Sequence, residues 1–253
     1  ACRARTSRPE DESMSETLTN IVRSNNRTAP TAALHVEVVA DFVCPFSYIG
    51  KRRLDRALES VGGPTEVVWY PFQLNPDMPA DGLAFDAYLK TRFGGRANIQ
   101  PVLEQIAAEG RDEGIKFDFL LPQRVPNTTA AHQLMHLAAT RGADQTALVE
   151  GLFSAFFEKG LDIGDQEVLI HLARPLGLTR EQVLAGMADP GNRQFVQSRE
   201  AQVRGSGLGS VPGFLVNRRL LVVGAQSTET LLNAFDQGVF GEGDDAIVSP
   251  ALH

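Results

Sequence analysis

The sequence predicts an α/β protein in which a long helical segment interrupts a strand-containing domain. Two β-branched runs near the start, one beginning at Leu34 and one at Glu66, enclose a segment of helix length. From about Leu83 to Arg204 the pattern is helical, and two short apolar runs follow Val211. We therefore predict that residues 34–82 and 190–240 form one domain, with residues 83–189 as an all-helical insertion.

The opening reads as β-α-β. Leu34 to Val43 (LHVEVVADFV) is β-branched and alternates near its start, which is typical of a strand. The next segment, YIGKRRLDRALESVG, places its apolar residues on one helical face and ends at Gly62 and Gly63. Glu66 to Leu74 (EVVWYPFQL) predicts the second strand.

The middle of the chain contains seven helix-length segments that Gly and Pro signals separate. They are FDAYLKTRF, residues 98–113, TTAAHQLMHLAATRG, QTALVEGLFSAFFEKG, DQEVLIHLARPLG, TREQVLAGMAD and NRQFVQSREAQVRG. Asp165 and Thr179 stand where helix N-caps belong, and Gln182 follows Thr179 in a capping-box spacing. We expect both residues to begin helices.

The closing segments predict a hairpin and one more helix. GFLV and LLVV flank Asn217-Arg218-Arg219, which indicates two strands joined by a turn, and Ser227 to Phe235 has the pattern of a helix. Residues 1–33 are polar and rich in Ser, Thr, Arg and Pro, so we expect a disordered tail there. We expect residues 241–253 to be a mobile tail.

Composition excludes several classes of protein. The 253 residues are 43% apolar and 22% charged, as in an ordinary globular chain, and the net charge of −7 argues against nucleic-acid binding. Apolar runs are far shorter than the roughly 20 residues of a membrane-spanning helix. Residues 1–33 lack the apolar core of a secretory signal, which predicts a cytoplasmic protein.

The sequence also gives little support for a metal site or for a disulfide-rich scaffold. Two cysteines, Cys2 and Cys44, exclude a disulfide-rich scaffold and a four-thiolate zinc site. His132 and His136 have the i, i+4 spacing of metal ligands, but Gln133 stands where a zinc protease has Glu, and no third ligand is evident. We predict no metal site.

Cys44 lies where the first strand gives way to a helix. Pro45 follows it, and proline suits the first helical position because its missing N–H would be unpaired there. Unpaired amides and the helix dipole stabilise an anion, which predicts a depressed pKa for the Cys44 thiol and a nucleophilic thiolate. The alternative is a buried, inert cysteine that packs like a small hydrophobe.

Several motifs in order resemble one family. FVCPFSYIGKRRL is similar to the active-site segment of DsbA-like thioredoxin-fold proteins, in particular a FrnE-like branch that usually reads C-P-W-C-Y-x-G-K-R-R. PFQLNPDMP, PNTTAAH, LFSAFFEKGLDIGDQEVL and GSVPGFLVNRRLLVVGAQ extend the resemblance over residues 35–238. The resemblance implies a thioredoxin-like fold with a large helical insertion.

The resemblance also implies roles for site residues. Val211-Pro212 would be the cis-proline loop that faces the sulfur and pairs with an extended peptide or with glutathione. Pro45 would tune the nucleophile Cys44, and Phe46 would shape the surface around it. Asn127 either contacts a ligand in the pocket or caps the helix that follows it.

Ser47 replaces the second cysteine of the family. One sulfur cannot form an internal disulfide, so Cys44 would form a mixed disulfide that an external thiol such as glutathione resolves. Ser47 either hydrogen-bonds the thiolate or is a solvent-facing hydroxyl. We expect a thiol or disulfide substrate, glutathione as a possible co-substrate and no tightly bound cofactor, and the oligomeric state is left open.

Two other functions fit the same pattern. 2-Hydroxychromene-2-carboxylate isomerases and kappa-class glutathione transferases resemble this chain in the turn S-P-[YF]-S, with serine at the position of Cys44. In such an enzyme Ser47 or Cys44 would polarise the glutathione sulfur, while Asn127 and the Val211 backbone would hold the tripeptide. A redox-inactive binding module is the other alternative.

Lys51, Arg52 and Arg53 follow the turn on its helix. They either attract a glutathione carboxylate or form a solvated face.

Overall fold

A five-stranded mixed sheet forms the centre of the computed structural model, which describes residues 34–241 and 246–248. Its strands are β1 (Leu34–Ala40), β2 (Thr65–Pro71), β5 (Gly213–Val216), β6 (Leu220–Val223) and β7 (Ala246–Val248). The order is β2-β1-β5-β6-β7, with β1–β2 and β6–β7 parallel and the other pairs antiparallel. The tail predicted for residues 1–33, which contains Cys2, lies outside the described residues.

Nine helices surround this sheet within the described ranges. They are α1 (Pro45–Glu59), α2 (Phe85–Phe93), α3 (Arg96–Asp112), α4 (Thr129–Thr140), α5 (Gln145–Phe157), α6 (Gln166–Ala173), α7 (Arg180–Ala188), α8 (Pro190–Gly205) and α9 (Thr228–Phe240). This thioredoxin-like α/β architecture with a helical insertion confirms the predicted fold class. Within the described ranges, none of these helices has the length and apolar composition needed to cross a bilayer.

The central strand β1 is buried along its whole length because apolar layers cover both of its faces. Val36 and Val38 face the larger core, which α1, α9 and the insertion helices share. Val39 faces a smaller apolar cluster on the other side of the sheet, and this cluster contains Cys44. The sulfur therefore lies against the sheet and not on an open surface.

Local signals place several helix boundaries, although α9 ends at Phe240 and not at the predicted Phe235. Helix α2 spans the predicted FDAYLKTRF segment. Thr179 Oγ1 accepts the backbone N–H of Gln182 at 3.3 Å, while Gln182 Oε1 accepts the Thr179 N–H at 2.8 Å. Asp165 Oδ1 accepts from the Glu167 amide at 2.7 Å. These contacts confirm both predicted N-caps.

Four strand features differ from the sequence prediction. β2 ends at Pro71 and not at the predicted Leu74. β1 ends at Ala40 and not at Val43, because the Asp41 carbonyl accepts the Cys44 N–H at 3.1 Å and turns the chain. A two-stranded ribbon of β3 (Leu83–Ala84) and β4 (Arg124–Val125) lies within residues 83–189, so the prediction that this insertion is all-helical is wrong. Strand β7 occupies part of the segment expected to be a mobile tail and pairs with β6.

A polar cluster is buried at the start of β1. His35 Nε2 lies 3.0 Å from Glu37 Oε1, and His35 Nδ1 lies 3.0 Å from Glu66 Oε2. Glu37 also accepts from Arg218 Nε at 3.0 Å. The hydrogen bond to Glu37 raises the pKa of His35, with Glu66 adding to the increase and burial opposing it.

A second polar cluster joins α1 to the insertion. Glu150 of α5 accepts hydrogen bonds from the Tyr48 hydroxyl at 2.7 Å, from Lys51 Nζ at 2.7 Å and from Arg52 at 2.6 Å. The Tyr48 ring also stacks on Phe153 with a centroid separation of 5.0 Å. Ion pairs and ring stacking therefore hold helix α1, and Cys44 immediately precedes its first residue.

Candidate active site

Cys44 is the N-cap of α1, and Pro45 occupies the first helical position. The backbone of Cys44 is extended, with φ −93° and ψ 114°, and the helical conformation begins at the next residue. The Cys44 carbonyl accepts the Ser47 N–H at 3.1 Å, which closes the first turn. The strand-to-helix placement predicted from the sequence is confirmed.

The loop before β5 brings the second half of the site to this sulfur. The Val211–Pro212 peptide bond is cis, and the Cys44 thiol donates to the Val211 carbonyl at 3.7 Å. Gly50 lets this loop approach α1, since a Cβ at that position would lie 2.8 Å from Pro212 Cγ. The Val211 carbonyl therefore faces Cys44, 167 residues away in sequence, and Pro212 lies against Gly50 of α1.

Burial dominates the electrostatics of the sulfur. Cys44 is only 4% exposed, and its neighbours in the smaller cluster include Phe72, Leu208 and Val211. Burial raises the pKa of Cys44 to about 11, although the Ser47 hydroxyl and the amides of Ser47 and Phe46 act to lower it. The depressed pKa predicted from the helix terminus is wrong for this buried state, because desolvation outweighs the amide dipoles.

Ser47 points inward and is 1% exposed, so the alternative of a solvent-facing hydroxyl is excluded. Its Oγ has no hydrogen-bond partner in the described part of the chain, yet it lies close enough to the Cys44 sulfur to lower the pKa of that thiol. A buried hydroxyl without a partner costs free energy, and a thiolate would supply the missing acceptor. Phe46, by contrast, is 40% exposed beside this turn.

Asn127 has a structural role at the start of α4. Its side-chain oxygen accepts the Thr129 N–H at 3.0 Å at the start of α4, and its amide donates to the Met78 carbonyl at 2.8 Å. These bonds fit the helix-capping alternative, while contact between Asn127 and a ligand stays a prediction.

The basic residues after the turn are occupied by carboxylates. Lys51 pairs with Asp55 and Glu150 at 2.7 Å each. Arg52 shares Glu150. Arg53 binds the carboxylates of Glu109 on α3, at 2.8 Å, and of Glu113 immediately after α3, at 2.7 Å. The structure therefore shows an ion-pair network that anchors α1 and not a solvated face, while attraction of a glutathione carboxylate stays a prediction.

Asp41 is a site residue that the sequence analysis missed. It is buried, and Oδ2 accepts the Leu74 N–H at 2.7 Å. Oδ1 has no hydrogen-bond partner among the described residues and lies 3.7 Å from Nε2 of His132. Its charge adds to the increase in the Cys44 pKa. The sequence signal that could have identified Asp41 is its position, three residues before Cys44.

The two histidines have structural partners. His132 donates to the Phe72 carbonyl at 3.1 Å, and its ring lies 4.8 Å from that of Phe42. His136 stacks on Phe195 with centroids 3.6 Å apart. In the part of the chain that the structure describes, no group of three His, Cys, Asp or Glu residues is placed to hold a metal ion.

Comparisons with known proteins agree with the thioredoxin-like fold that the structure shows. The family model of the DSBA-like thioredoxin domain matches residues 35–236. The crystal structure of a probable DsbA oxidoreductase, SCO1869 from Streptomyces coelicolor, is 30% identical with a TM-score of 0.74, covering 83% of this chain and 91% of its own.

Two more distant structures share the fold. A 2-hydroxychromene-2-carboxylate isomerase has a TM-score of 0.59 at 14% identity, covering 80% of this chain and 95% of its own. The cytosolic disulfide reductase DsbM from Pseudomonas aeruginosa, solved with GSH, has a TM-score of 0.51 at 19% identity, covering 81% and 95%.

Proposed function

This chain belongs to the family of DSBA-like thioredoxin domains, and on that premise we propose that it is a thiol-disulfide oxidoreductase working through one sulfur. Cys44 is the only cysteine in the part of the chain that the structure describes. The observation that carries the proposal is the position of this sulfur at the start of α1, 3.7 Å from the Val211 carbonyl, with buried Ser47 in place of a second sulfur.

The proposed cycle exchanges disulfides in two balanced steps. The Cys44 thiolate attacks a substrate disulfide, so that one S–S bond forms to Cys44, the substrate S–S bond breaks and one substrate thiolate leaves. A glutathione thiolate then attacks the mixed disulfide, which releases the second substrate sulfur bound to glutathione and returns Cys44 to the thiolate. When the substrate is a glutathione mixed disulfide, the second product is oxidised glutathione.

Five residues around the sulfur have distinct proposed roles. The backbone of Val211 and Pro212 pairs with an extended substrate by main-chain hydrogen bonds, as the exposed edge of a strand pairs with a bound peptide. Phe46, exposed beside the turn, supplies an apolar contact to the substrate. Ser47 donates its unpaired hydroxyl to the thiolate, while Pro45 starts the helix whose amides face the same charge.

The pKa of Cys44 determines how this chemistry depends on pH. Because burial raises that pKa to about 11, the thiolate is a minor species at neutral pH. Exchange is therefore expected to be slow near neutrality and to accelerate as pH rises. We place the reaction in the cytoplasm, where reduced glutathione is abundant enough to complete the cycle.

The experiment is a turnover assay with a glutathionylated peptide and reduced glutathione, following peptide thiol release. Wild type should turn over, Cys44→Ser should be inactive, and Ser47→Ala should be slower because the thiolate loses a donor. Equal rates for wild type and Cys44→Ser would refute the proposal.

Ser47→Cys tests the geometry of the turn. If the Ser47 side chain faces the sulfur, as its effect on the Cys44 pKa indicates, the variant should form an internal disulfide on oxidation. Its insulin reduction rate in a dithiol-coupled assay should then exceed that of wild type. Two thiols that stay free under oxidising conditions would contradict the proposed geometry.

A glutathione-dependent isomerase or transferase is the second candidate. The buried Ser47 hydroxyl favours it, because a free donor in this position suits the sulfur of a bound glutathione. Such an enzyme binds glutathione intact and reversibly, whereas the oxidoreductase forms a covalent mixed disulfide. A saturable glutathione complex with no adduct on Cys44 would favour this candidate, and the absence of both would favour a binding module.

A further inference from the structure

A buried carboxylate lies beside the sulfur and takes no part in the exchange steps described above. Asp41 is 1% exposed, and its carbonyl accepts the Cys44 N–H at 3.1 Å. Its Oδ2 accepts the N–H of Leu74, whose side chain packs against the apolar cluster that contains Cys44. The carboxylate is therefore fixed among the residues that surround the sulfur.

The charge of Asp41 is not neutralised by a neighbouring cation. Among the described residues no Lys or Arg pairs with it, and Oδ1 has no hydrogen-bond partner. His132 Nε2 lies 3.7 Å from Oδ1 but donates to the Phe72 carbonyl at 3.1 Å. A buried charge is screened less than one in water, and this charge reaches the sulfur, since it acts to raise the pKa of the Cys44 thiol.

The cations near the turn add little net positive charge, because carboxylates hold them. Arg204 stacks on Phe72 at 4.3 Å and pairs with Glu200 at 2.8 Å. The four Lys and Arg side chains of α1 form ion pairs at 2.6–2.8 Å. These cations are Lys51, Arg52, Arg53 and Arg56, and their partners are Asp55, Glu109, Glu113 and Glu150.

The N-terminal end of α1 makes the opposing contribution, equivalent to roughly half a positive charge. The amides of Ser47 and Phe46 act on the Cys44 sulfur itself. When Cys44 is a thiolate, the sulfur and Asp41 carry two negative charges against this partial positive charge. The reactive form of the site is therefore negative.

We propose that Asp41 makes the site selective for cationic and uncharged disulfides over acidic ones, and that the preferred substrates have an amino group close to the sulfur. The inference rests on the proposed exchange, in which an S–S bond forms to Cys44, the substrate S–S bond breaks and one substrate thiolate leaves. Asp41 attracts a cation on the incoming molecule and repels a carboxylate. Oxidised glutathione has more carboxylates than amino groups and is therefore one of the slower substrates.

Three small disulfides that differ in charge test the selectivity. They are the symmetrical disulfides of cysteamine, mercaptoethanol and mercaptopropionate, in which the same two-carbon spacer carries an ammonium, a hydroxyl or a carboxylate. Intact mass follows mixed-disulfide formation on the full chain with Cys2→Ser, at about pH 8, where primary amines are largely protonated. Each rate is divided by that of an uncharged cysteine peptide, and the cationic probe should then exceed the anionic one about fivefold or more.

Two carboxylate variants assign the selectivity to Asp41. Asp41→Asn keeps the shape of the side chain and should bring the ratio of the two charged probes close to that of the reference peptide. Glu59→Gln removes an exposed carboxylate at the far end of α1 and should leave the ratio unchanged. The ratio cancels any change in the thiolate content of Cys44, because both probes react with the same thiolate.

The outcomes separate this inference from the proposed function. Equal normalised rates for the two charged probes, or an unchanged ratio in folded Asp41→Asn, would overturn the selectivity, while reaction of the uncharged probe would leave disulfide exchange standing. If none of the three probes reacts with Cys44, both the exchange and the selectivity are refuted. If Asp41→Asn fails to fold, the order of the three probes on the wild-type site still decides.

Discussion

Gly50→Ala tests whether α1 and the loop before β5 pack as closely as the site requires. The added Cβ would lie 2.8 Å from Pro212 Cγ and 3.1 Å from Phe214 Cζ, and contacts below 3.0 Å force a displacement. Overpacking of this kind costs about 1–3 kcal/mol, whereas Ala in place of Gly inside a helix stabilises by about 1 kcal/mol. We expect a net loss of about 1 kcal/mol, or about 2–4 °C in Tm for a chain of this size.

Gly151→Ala is the matched control for that variant. Gly151 is also helical, but its added Cβ would meet only Leu172 Cδ2 at 3.6 Å, an ordinary contact, so this variant should be more stable than wild type. Urea unfolding measures both variants, and alkylation of Cys44 should be faster in Gly50→Ala because the displaced loop uncovers the sulfur. Equal stability changes in the two variants would refute the close packing at Gly50.

Three further predictions follow from the charged clusters and from the sulfur. Glu150→Gln should lower stability by about 1–3 kcal/mol in urea unfolding, since three donors of α1 lose their carboxylate; exposed Glu167→Gln should have far less effect. The pKa of His35 is raised, so protonated His35 stabilises the fold below about pH 6.5, and this stabilisation is lost as pH rises through the folded pKa. Tm should therefore fall as pH rises through this range. The fall should be smaller in His35→Gln and unchanged in the control His171→Gln, whose histidine is exposed. Cys44 alkylation should rise about tenfold per pH unit from pH 7 upward, because burial raises the pKa to about 11; a rate that levels off below about pH 8 would contradict this.

Sequence reasoning succeeded where the signal is local. The N-caps Asp165 and Thr179 and the limits of α2 follow from residues within one turn of each boundary. The turn with Cys44 at the helix start is local as well, and the resemblance of several ordered motifs identified the loop at Val211 that faces it. Such features need no knowledge of distant neighbours.

The features that sequence reasoning missed depend on distant partners. The pKa of Cys44 follows from apolar side chains such as Phe72 and Leu208, which fold over the sulfur from other elements. The ion pairs of Arg53 were missed because its carboxylates, Glu109 and Glu113, come from α3 and the residue after it. Strands as short as β3, β4 and β7 have too few residues for a pattern, so their partners define them. Burial and pairing are tertiary properties.

The most direct test of the central claim is the mass of the protein after treatment with oxidised glutathione. The measurement uses a Cys2→Ser background at about pH 9, where more of the Cys44 thiolate is present. The account predicts one glutathionyl group on Cys44, its removal by reduced glutathione and no adduct when Cys44→Ser is added. An unmodified Cys44 under conditions that fully modify a free cysteine peptide would contradict single-sulfur exchange.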